Sequence, residues 1–202
     1  MNTIINIGRS FGSGGGFVGK AIGKKLGIPV YDNELISKVA EENGYSKGLF
    51  AQSEEKLSLF SISSFFASGR LSYMDSGYVN DNVMFKIQSD VIRSIAQKGD
   101  AVIIGRCADY ILRDFKCLNV FVSAPMEYRI KRLIESEGID AEAAEALMRR
   151  KDRTRETYYN YYTFGNWGQA SNYNLCVDSS VLGIEGTADY IIDFGRKAGL
   201  VK

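Results

Sequence analysis

A glycine-rich loop near the start of the chain is the first stretch whose residue types indicate chemistry. Five of the eight residues from Gly12 to Gly19 are glycine, and they follow a β-branched run that ends at Ile7. Glycine tolerates positive φ angles and lets a ligand approach the backbone without interference from Cβ atoms. Backbone N–H groups in such a loop, together with the start of a following helix, favour a bound phosphate or another anion. We therefore predict a phosphate-binding loop, with a glycine-softened surface turn as the alternative.

Two phosphate-binding patterns match this loop in part. Residues 14–19 match the dinucleotide fingerprint G-x-G-x-x-G, and Asp32 lies 18 residues after Gly14, near the spacing of a ribose-binding acid. The kinase pattern G-x-x-x-x-G-K-[ST] fits from Gly8 only with one extra residue, and Gly15 then stands where that pattern has lysine. The glycines alone do not decide between the two patterns.

Two arginine features indicate anion chemistry as well. Five cations lie within the seven residues from Arg149 to Arg155, and tyrosines follow them, which predicts a positive patch on a flexible arm. The alternative for this cluster is a solvated helix face with salt bridges to Glu142 and Glu145. The cluster can stabilise the charge of a transferring phosphoryl group if the arm closes over it.

Arg106 follows Ala101–Ile104, an all-apolar run that predicts a central strand buried on both faces. The carboxyl end of such a strand faces the ligand crevice of an α/β sheet, and a bidentate guanidinium suits phosphate. A structural Arg106, paired with Asp109 or Asp32, is the alternative.

The overall composition restricts the possible chemistry. The chain has no histidine, 25 basic and 24 acidic residues, and three cysteines without metal-ligand spacing. The absence of histidine excludes Ser–His–Asp and Cys–His catalysis and most zinc sites, whereas phosphoryl transfer depends mainly on positioning and charge stabilisation. A net charge of +1 predicts neither a nucleic-acid nor a membrane partner, and the odd, unpatterned cysteines predict a cytoplasmic protein.

The elements that position these residues alternate between strands and helices. Hydrophobic periodicity predicts strands up to residue 7 and over 28–32, 101–104, 118–122 and 174–178, and helices over 14–26, 33–43 and 82–98, from 125, from 140 and over 183–198. This alternation predicts one α/β domain over 1–202 with a parallel sheet of about five strands. Residues 45–80 interrupt the pattern, and we predict helical pieces in a mobile insertion over the site. A loose surface loop, or a homodimer contact made by the aromatic residues, is an equal alternative.

These segments together resemble the cytidylate kinase-like family and, more broadly, the P-loop nucleoside monophosphate kinases. The resemblance covers nearly the whole chain. It rests on G-R-S-F-G-S-G-G at 8–15, V-Y-D at 30–32, V-I-I-G-R-C-A-D-Y-I-L at 102–112, N-V-F-V-S-A-P-M-E-Y-R-I-K-R at 119–132, K-D-R-T-R at 151–155 and C-V-D-S-S-V-L-G-I-E-G at 176–186. It implies the three-layer P-loop NTPase fold, with an acceptor-side insertion and an arginine-rich lid over 138–172.

The resemblance implies ATP with Mg²⁺ as the phosphoryl donor and a nucleoside monophosphate, CMP or dCMP first, as the acceptor. The residues that would hold the donor phosphates are Gly8, Gly12, Ser13, Gly14, Gly15 and Gly16. Ser13 would also face the metal ion. Those that would contact the acceptor are Asp32 and Arg106, and those that would close as the lid are Arg150, Arg153 and Arg155.

The missing loop lysine needs a substitute if the chain is active. We predict that Arg9, inside the loop, takes its role rather than Lys20, which lies roughly opposite the apolar stripe of the first helix. Three other functions stay open at this point: a nucleotide-binding kinase homologue without turnover, a kinase of another small molecule, and an NAD-dependent oxidoreductase.

Overall fold

A computed structural model of the chain describes residues 2–42 and 75–202. The insertion predicted over 45–80 lies largely outside these residues. The chain forms two compact units, one made of Met1–Asn33 with Ile95–Lys202 and the other of Glu34–Ser94. The single domain over 1–202 stays a prediction.

The first unit is built on a five-stranded parallel sheet. Its strands are β1 (Ile4–Arg9), β2 (Val30–Tyr31), β3 (Ala101–Ile104), β4 (Leu118–Ser123) and β5 (Leu175–Asp178). They lie in the order β2-β3-β1-β4-β5, and every neighbouring pair is parallel. This sheet confirms the predicted α/β fold class.

Helices lie between the strands along the chain. In chain order, the helices of the described residues are α1 (Gly15–Leu26), α2 (Asn33–Glu42), α3 (Asp75–Lys98), α4 (Ala108–Ile111), α5 (Met126–Glu137), α6 (Ala141–Thr163) and α7 (Ser179–Lys197), and a 3-10 turn spans Ala170–Asn172. Most of α2 and α3 belongs to the second unit. Among the described residues, no helix combines the length and the apolar character that crossing a membrane would require.

The core of the first unit explains why these strands form. The β-branched side chains of β1, β3 and β4 pack against α1 and α7, with the buried set Ile5, Ile7, Val18, Ile22, Val102, Ile104, Val120, Val122, Ala188 and Ile191. Continuous apolar runs are expected in parallel strands that are covered on both faces. Because the strands are parallel, the glycine loop after β1 and the turn after β3 lie at the same edge of the sheet.

Several boundaries differ from the sequence prediction for local reasons. β2 begins only at Val30, because the N–H of Ile28 still donates to the Gly23 carbonyl (3.0 Å) and closes the end of α1. α7 begins before Gly183, because the Asp178 carboxylate caps its N-terminus through the N–H of Ser180 (2.8 Å). Gly183 nevertheless marks a kink, with φ 63° and ψ −174°.

The basic cluster lies in an ordered helix rather than in a flexible arm. α6 starts at the side-chain cap of Asp140, which accepts a hydrogen bond from the N–H of Ala143 (2.8 Å), and it continues through the tyrosines to Thr163. Phe164 ends it in the left-handed conformation. The side chains of the cluster therefore face different directions around one helix.

Candidate active site

The glycine loop has the backbone geometry of an anion cradle. Gly12 and Gly14 have φ angles of 80° and 79°, which glycine adopts at no steric cost. Within the described residues, the N–H groups of Gly12, Gly14, Gly16 and Phe17 have no hydrogen-bond partner. These four residues line one cavity, so that unpaired donors and the positive end of α1 meet in the same place.

This cavity has a volume of about 390 Å³ and lies within the first unit. Its lining combines the glycine loop with six charged side chains from near and distant parts of the sequence, namely Arg9, Lys20, Asp32, Arg132, Glu137 and Arg155. Four of these six groups are cationic, so the cavity is electrostatically suited to a multiply charged anion.

Arg9 is the last residue of β1 rather than part of the loop as predicted, and it lies within the positive cluster. Its side chain crosses the end of the sheet between Gly15 and Gly105. Burial and the charges of Arg155 and Arg106 lower the pKa of Arg9 to about 9. The negative charge of Asp32 raises the pKa of Arg9, but by less than the other groups lower it. The cations around Arg9 therefore leave a positive charge that a bound anion would balance.

α6 contacts the loop through two residues on one face. The Asp152 carboxylate accepts a hydrogen bond from the N–H of Phe11 (2.7 Å) and pairs with the Arg129 guanidinium (2.5 Å). Arg155 donates to the carbonyl of Arg9 (3.1 Å) and lies over the Phe11 ring, 5.2 Å from its centroid. These contacts fix the loop-facing side of α6 to the site.

Arg106 follows β3 in a strained turn. Gly105, Arg106 and Cys107 have φ angles of 77°, 56° and 54°, and the left-handed region costs of order 1–3 kcal/mol for a residue other than glycine. The turn directs Arg106 to the Oδ1 of Asn33, to which its guanidinium donates. Its guanidinium carbon also lies 6.0 Å from the ring centroid of Tyr158 on α6. Strain of this kind concentrates at functional sites.

Asp109, one of the suggested partners of Arg106, instead accepts a hydrogen bond from the Tyr159 hydroxyl (2.7 Å). Burial raises the pKa of Asp109, although this hydrogen bond opposes the shift. The pair joins α4 to α6 beneath the basic cluster.

The remaining predicted residues are placed differently. Gly8 lies outside the cavity lining, because Phe121 and Tyr173 cover its Cα. Arg150 and Arg153 are exposed on α6. The suggested salt bridge to Glu145 is present, and it involves Arg149 (2.7 Å).

Ser13 does not fit a magnesium ligand in this arrangement. Its side chain is fully buried, and its hydroxyl donates to the carbonyl of Ser10 (2.8 Å) or Val122 (3.1 Å) and accepts from the N–H of Gly15 (3.3 Å). No group of three acidic, cysteine or histidine side chains that could hold a metal occurs in the part of the chain that the structure describes. A magnesium ion that enters with ATP would be held chiefly by phosphate oxygens and water, with Asp32 as the acidic group on the cavity wall.

Two basic residues of the cavity wall, Lys20 and Arg132, were not predicted as site residues. Lys20 lies on the wall and pairs with Asp32 (3.9 Å), although its place on α1 had argued against it. Arg132 lies 5.5 Å above the Phe17 ring and beside Gly14. The sequence signal that could have identified Arg132 is its position in α5, because this helix starts at the carboxyl edge of the sheet directly after β4.

Comparison with known proteins gives the family. The model of the cytidylate kinase-like family matches residues 4–181. A cytidylate kinase from Methanopyrus kandleri is 23% identical over 191 residues, which are 89% of this chain and 86% of that protein.

Two crystal structures are similar in fold. An uncharacterized protein from Eubacterium ventriosum has a TM-score of 0.70 at 28% identity, covering 95% of this chain and 96% of that chain. Shikimate kinase from Acinetobacter baumannii has a TM-score of 0.54 at 13% identity, covering 98% and 94%. The second likeness concerns the fold alone. From the match over residues 4–181, the chain belongs to the cytidylate kinase-like family.

Proposed function

We propose that the protein transfers the γ-phosphoryl group of Mg-ATP to a nucleoside monophosphate, with CMP or dCMP as the first candidate. The observation that carries this proposal is the cavity in which four N–H groups, unpaired among the described residues, meet Arg9, Arg132, Arg155 and Lys20. A polyphosphate chain is the ligand class that uses all of these donors together. The resemblance to cytidylate kinases supplies the acceptor class.

In this proposal the loop holds the donor and Arg106 holds the acceptor phosphate. The N–H groups of Gly12, Gly14 and Gly16 would contact the donor phosphates, as helix N-termini and glycine loops do. Arg106 lies at the carboxyl end of the neighbouring strand β3, so that the two phosphates would approach across the end of the sheet. Asp32 would lie beside the acceptor on the same edge.

Catalysis would come from positioning and charge. The transferring phosphoryl group spreads negative charge over its equatorial oxygens, and preorganised cations stabilise that charge without reorganising at the moment of reaction. Arg9 and Arg155 are held by backbone and neighbouring side chains at the cavity, which suits such a role. We propose that Arg150 and Arg153, which lie further out on α6, contribute to closure of the lid.

The NAD-dependent alternative is disfavoured by the sheet. In dinucleotide-binding folds β1 neighbours β2, and the acid that ends β2 then reaches the ribose. Here β3 separates β1 from β2, so Asp32 is one strand further from the glycine loop.

The test is an incubation with Mg-ATP and a panel of nucleoside monophosphates, with shikimate as a non-nucleotide acceptor, followed by phosphorus NMR. We expect ADP together with one new diphosphate, from CMP or dCMP. A phosphorylated non-nucleotide acceptor would show a kinase of another small molecule. Binding of ATP without any phosphorylated product would contradict the proposal and favour a nucleotide-binding homologue without turnover.

A further inference from the structure

Two glycines far apart in sequence contact the same arginine side chain. A Cβ atom at Gly15 would lie 2.5 Å from the Cβ of Arg9 and 3.2 Å from its Cγ. Gly15 is also the position at which the kinase pattern has lysine. The stem of Arg9 therefore occupies space that any side chain at Gly15 would need.

Gly105 contacts the other end of Arg9. A Cβ atom at Gly105 would overlap the guanidinium, and the three atoms nearest to it are the Nη1, Cζ and Nη2 of Arg9. These three nearest atoms all belong to the guanidinium, so a side chain at Gly105 would meet that group first. A side chain at this position would displace the charged group itself.

The guanidinium lies between the donor loop and the turn that carries Arg106. Arg155 and Arg106 both act on its charge, and Asp32 acts with the opposite sign. The carbonyl of Arg9 also accepts a hydrogen bond from Arg155 (3.1 Å). Arg9 is thus the cation that both halves of the proposed site share.

We propose that Gly105 is a positioning residue, and that its missing side chain lets Arg9 take the place of the absent loop lysine on the polyphosphate chain of the donor. The inference rests on the donor site of the proposed function. It adds that Gly105 and Gly15 both leave space for the side chain of Arg9, so that the position of this side chain depends on both glycines.

The experiment measures the affinity of the full chain for Mg-ATP by titration calorimetry. Arg9→Ala should weaken binding at least about tenfold, since a charge-assisted contact to phosphate is removed. Gly105→Ala should weaken binding about fivefold or more, because the Cβ displaces the same guanidinium. Gly27→Ala is the matched control: Gly27 has φ 66°, close to the 77° of Gly105, but a Cβ there has no neighbour within 4 Å.

The double variant separates positioning from general damage. In the Arg9→Ala background the overlap at Gly105 disappears, so adding Gly105→Ala should change affinity by less than about twofold. If Gly105→Ala acted through backbone strain or through Arg106, it would weaken binding equally in both backgrounds. That result would overturn the inference, as would unchanged binding by Arg9→Ala.

The two proposals can fail separately. In one outcome, the wild type binds Mg-ATP and the variants show the expected coupling between Gly105 and Arg9, while no acceptor is phosphorylated. That outcome would overturn the kinase proposal and leave this inference standing. A wild-type protein that does not bind Mg-ATP would overturn both. Urea unfolding of each variant checks that the compared proteins are folded.

Discussion

At the scale of single residues, Ser13 shows how a motif position can have a structural role. Its hydroxyl connects the carbonyls of Ser10 and Val122 to the start of α1 through Gly15. These partners lie in the loop, in β4 and in the helix, so one buried hydroxyl holds three parts of the site together. A hydroxyl with these partners has little capacity left for a metal ion.

We expect Ser13→Ala to lower the free energy of unfolding by about 1–3 kcal/mol, because buried partners lose their hydrogen bonds. Urea unfolding measures this change. The Mg²⁺ concentration that half-saturates turnover should change by less than about twofold, since phosphate oxygens and water supply most magnesium ligands. A much larger loss of magnesium affinity in a stable variant would contradict this expectation and indicate that Ser13 binds the metal ion.

Asp109 is a second residue whose role can be measured, because its burial should make the stability of the protein depend on pH. Burial raises its pKa above the ordinary value of 3.8, so the folded state binds the proton more tightly than the unfolded state. The stability that protonation contributes is complete below 3.8 and is lost as the pH rises through the raised pKa.

Asp109→Asn removes this titration and keeps an acceptor for the Tyr159 hydroxyl. We therefore expect the stability of the wild type relative to this variant to increase as the pH falls from neutral towards 3.8, and to level off below it. Urea unfolding of both proteins across this range measures the difference. A difference that is independent of pH, or that decreases on acidification, would contradict the pKa shift.

At the scale of elements, α6 presents two kinds of arginine. Arg155 lines the cavity and contacts the carbonyl of Arg9 at the end of β1, whereas Arg149 is exposed and pairs with Glu145. Arg149 and Arg155 are six residues apart in α6, and this spacing places their side chains on different faces of the helix.

Arg155→Gln should lower kcat about 100- to 1,000-fold, the range for removing one preorganised donor from a charged transition state. Arg149→Gln, in the same helix, should lower it less than about threefold, because exposed ion pairs contribute little. Steady-state kinetics with saturating Mg-ATP and acceptor compare the two. Equal losses would show that the net charge of α6, rather than the face of Arg155, determines the rate.

The Asp152–Arg129 pair connects α6 to α5 and to the loop. Both side chains are largely buried, at 19% and 11% exposure, and the Arg129 Nε has no hydrogen-bond partner within the described chain. Removing the carboxylate would leave a buried guanidinium without its counter-charge.

Asp152→Asn should therefore lower the free energy of unfolding by about 2–3 kcal/mol, as for a lost hydrogen bond to a charged group. Asp193→Asn is the control, because its pair with Lys197 is exposed and an exposed ion pair contributes little to stability. Chemical unfolding of both variants measures the contrast. Similar small losses would mean that water replaces the Asp152 contacts.

At the scale of the whole molecule, ligand binding should increase the thermal stability of the protein. A ligand that binds only the folded chain at 100 times its dissociation constant adds about 2.7 kcal/mol, which corresponds to an increase in Tm of about 5–10 °C for a chain of this size. We expect this increase with Mg-ATP and none with NAD. Differential scanning fluorimetry measures both, and an increase with NAD alone would favour the oxidoreductase.

Much of the fold and part of the site could be predicted from local sequence patterns. The apolar run of β3 is continuous because side chains on both faces of this strand are buried, and this pattern is visible without the structure. The positive φ angles of Gly12 and Gly14 follow from glycine density in the same way. The start of β2 is not visible in the local pattern, because a cap at Gly27 competes with the strand for the same residues.

The sequence by itself determined the parallel α/β fold, the glycine loop after β1 and the position of Arg106 after a buried strand, since each depends on neighbours within a few residues. Only the tertiary structure decided the strand order, the place of Lys20 and Arg132 on the cavity wall, and the contact between Phe11 and Asp152, which are 141 residues apart. It also decided that Gly15 and Gly105 meet at Arg9. Such contacts depend on which strand ends become neighbours, and no local pattern contains that information.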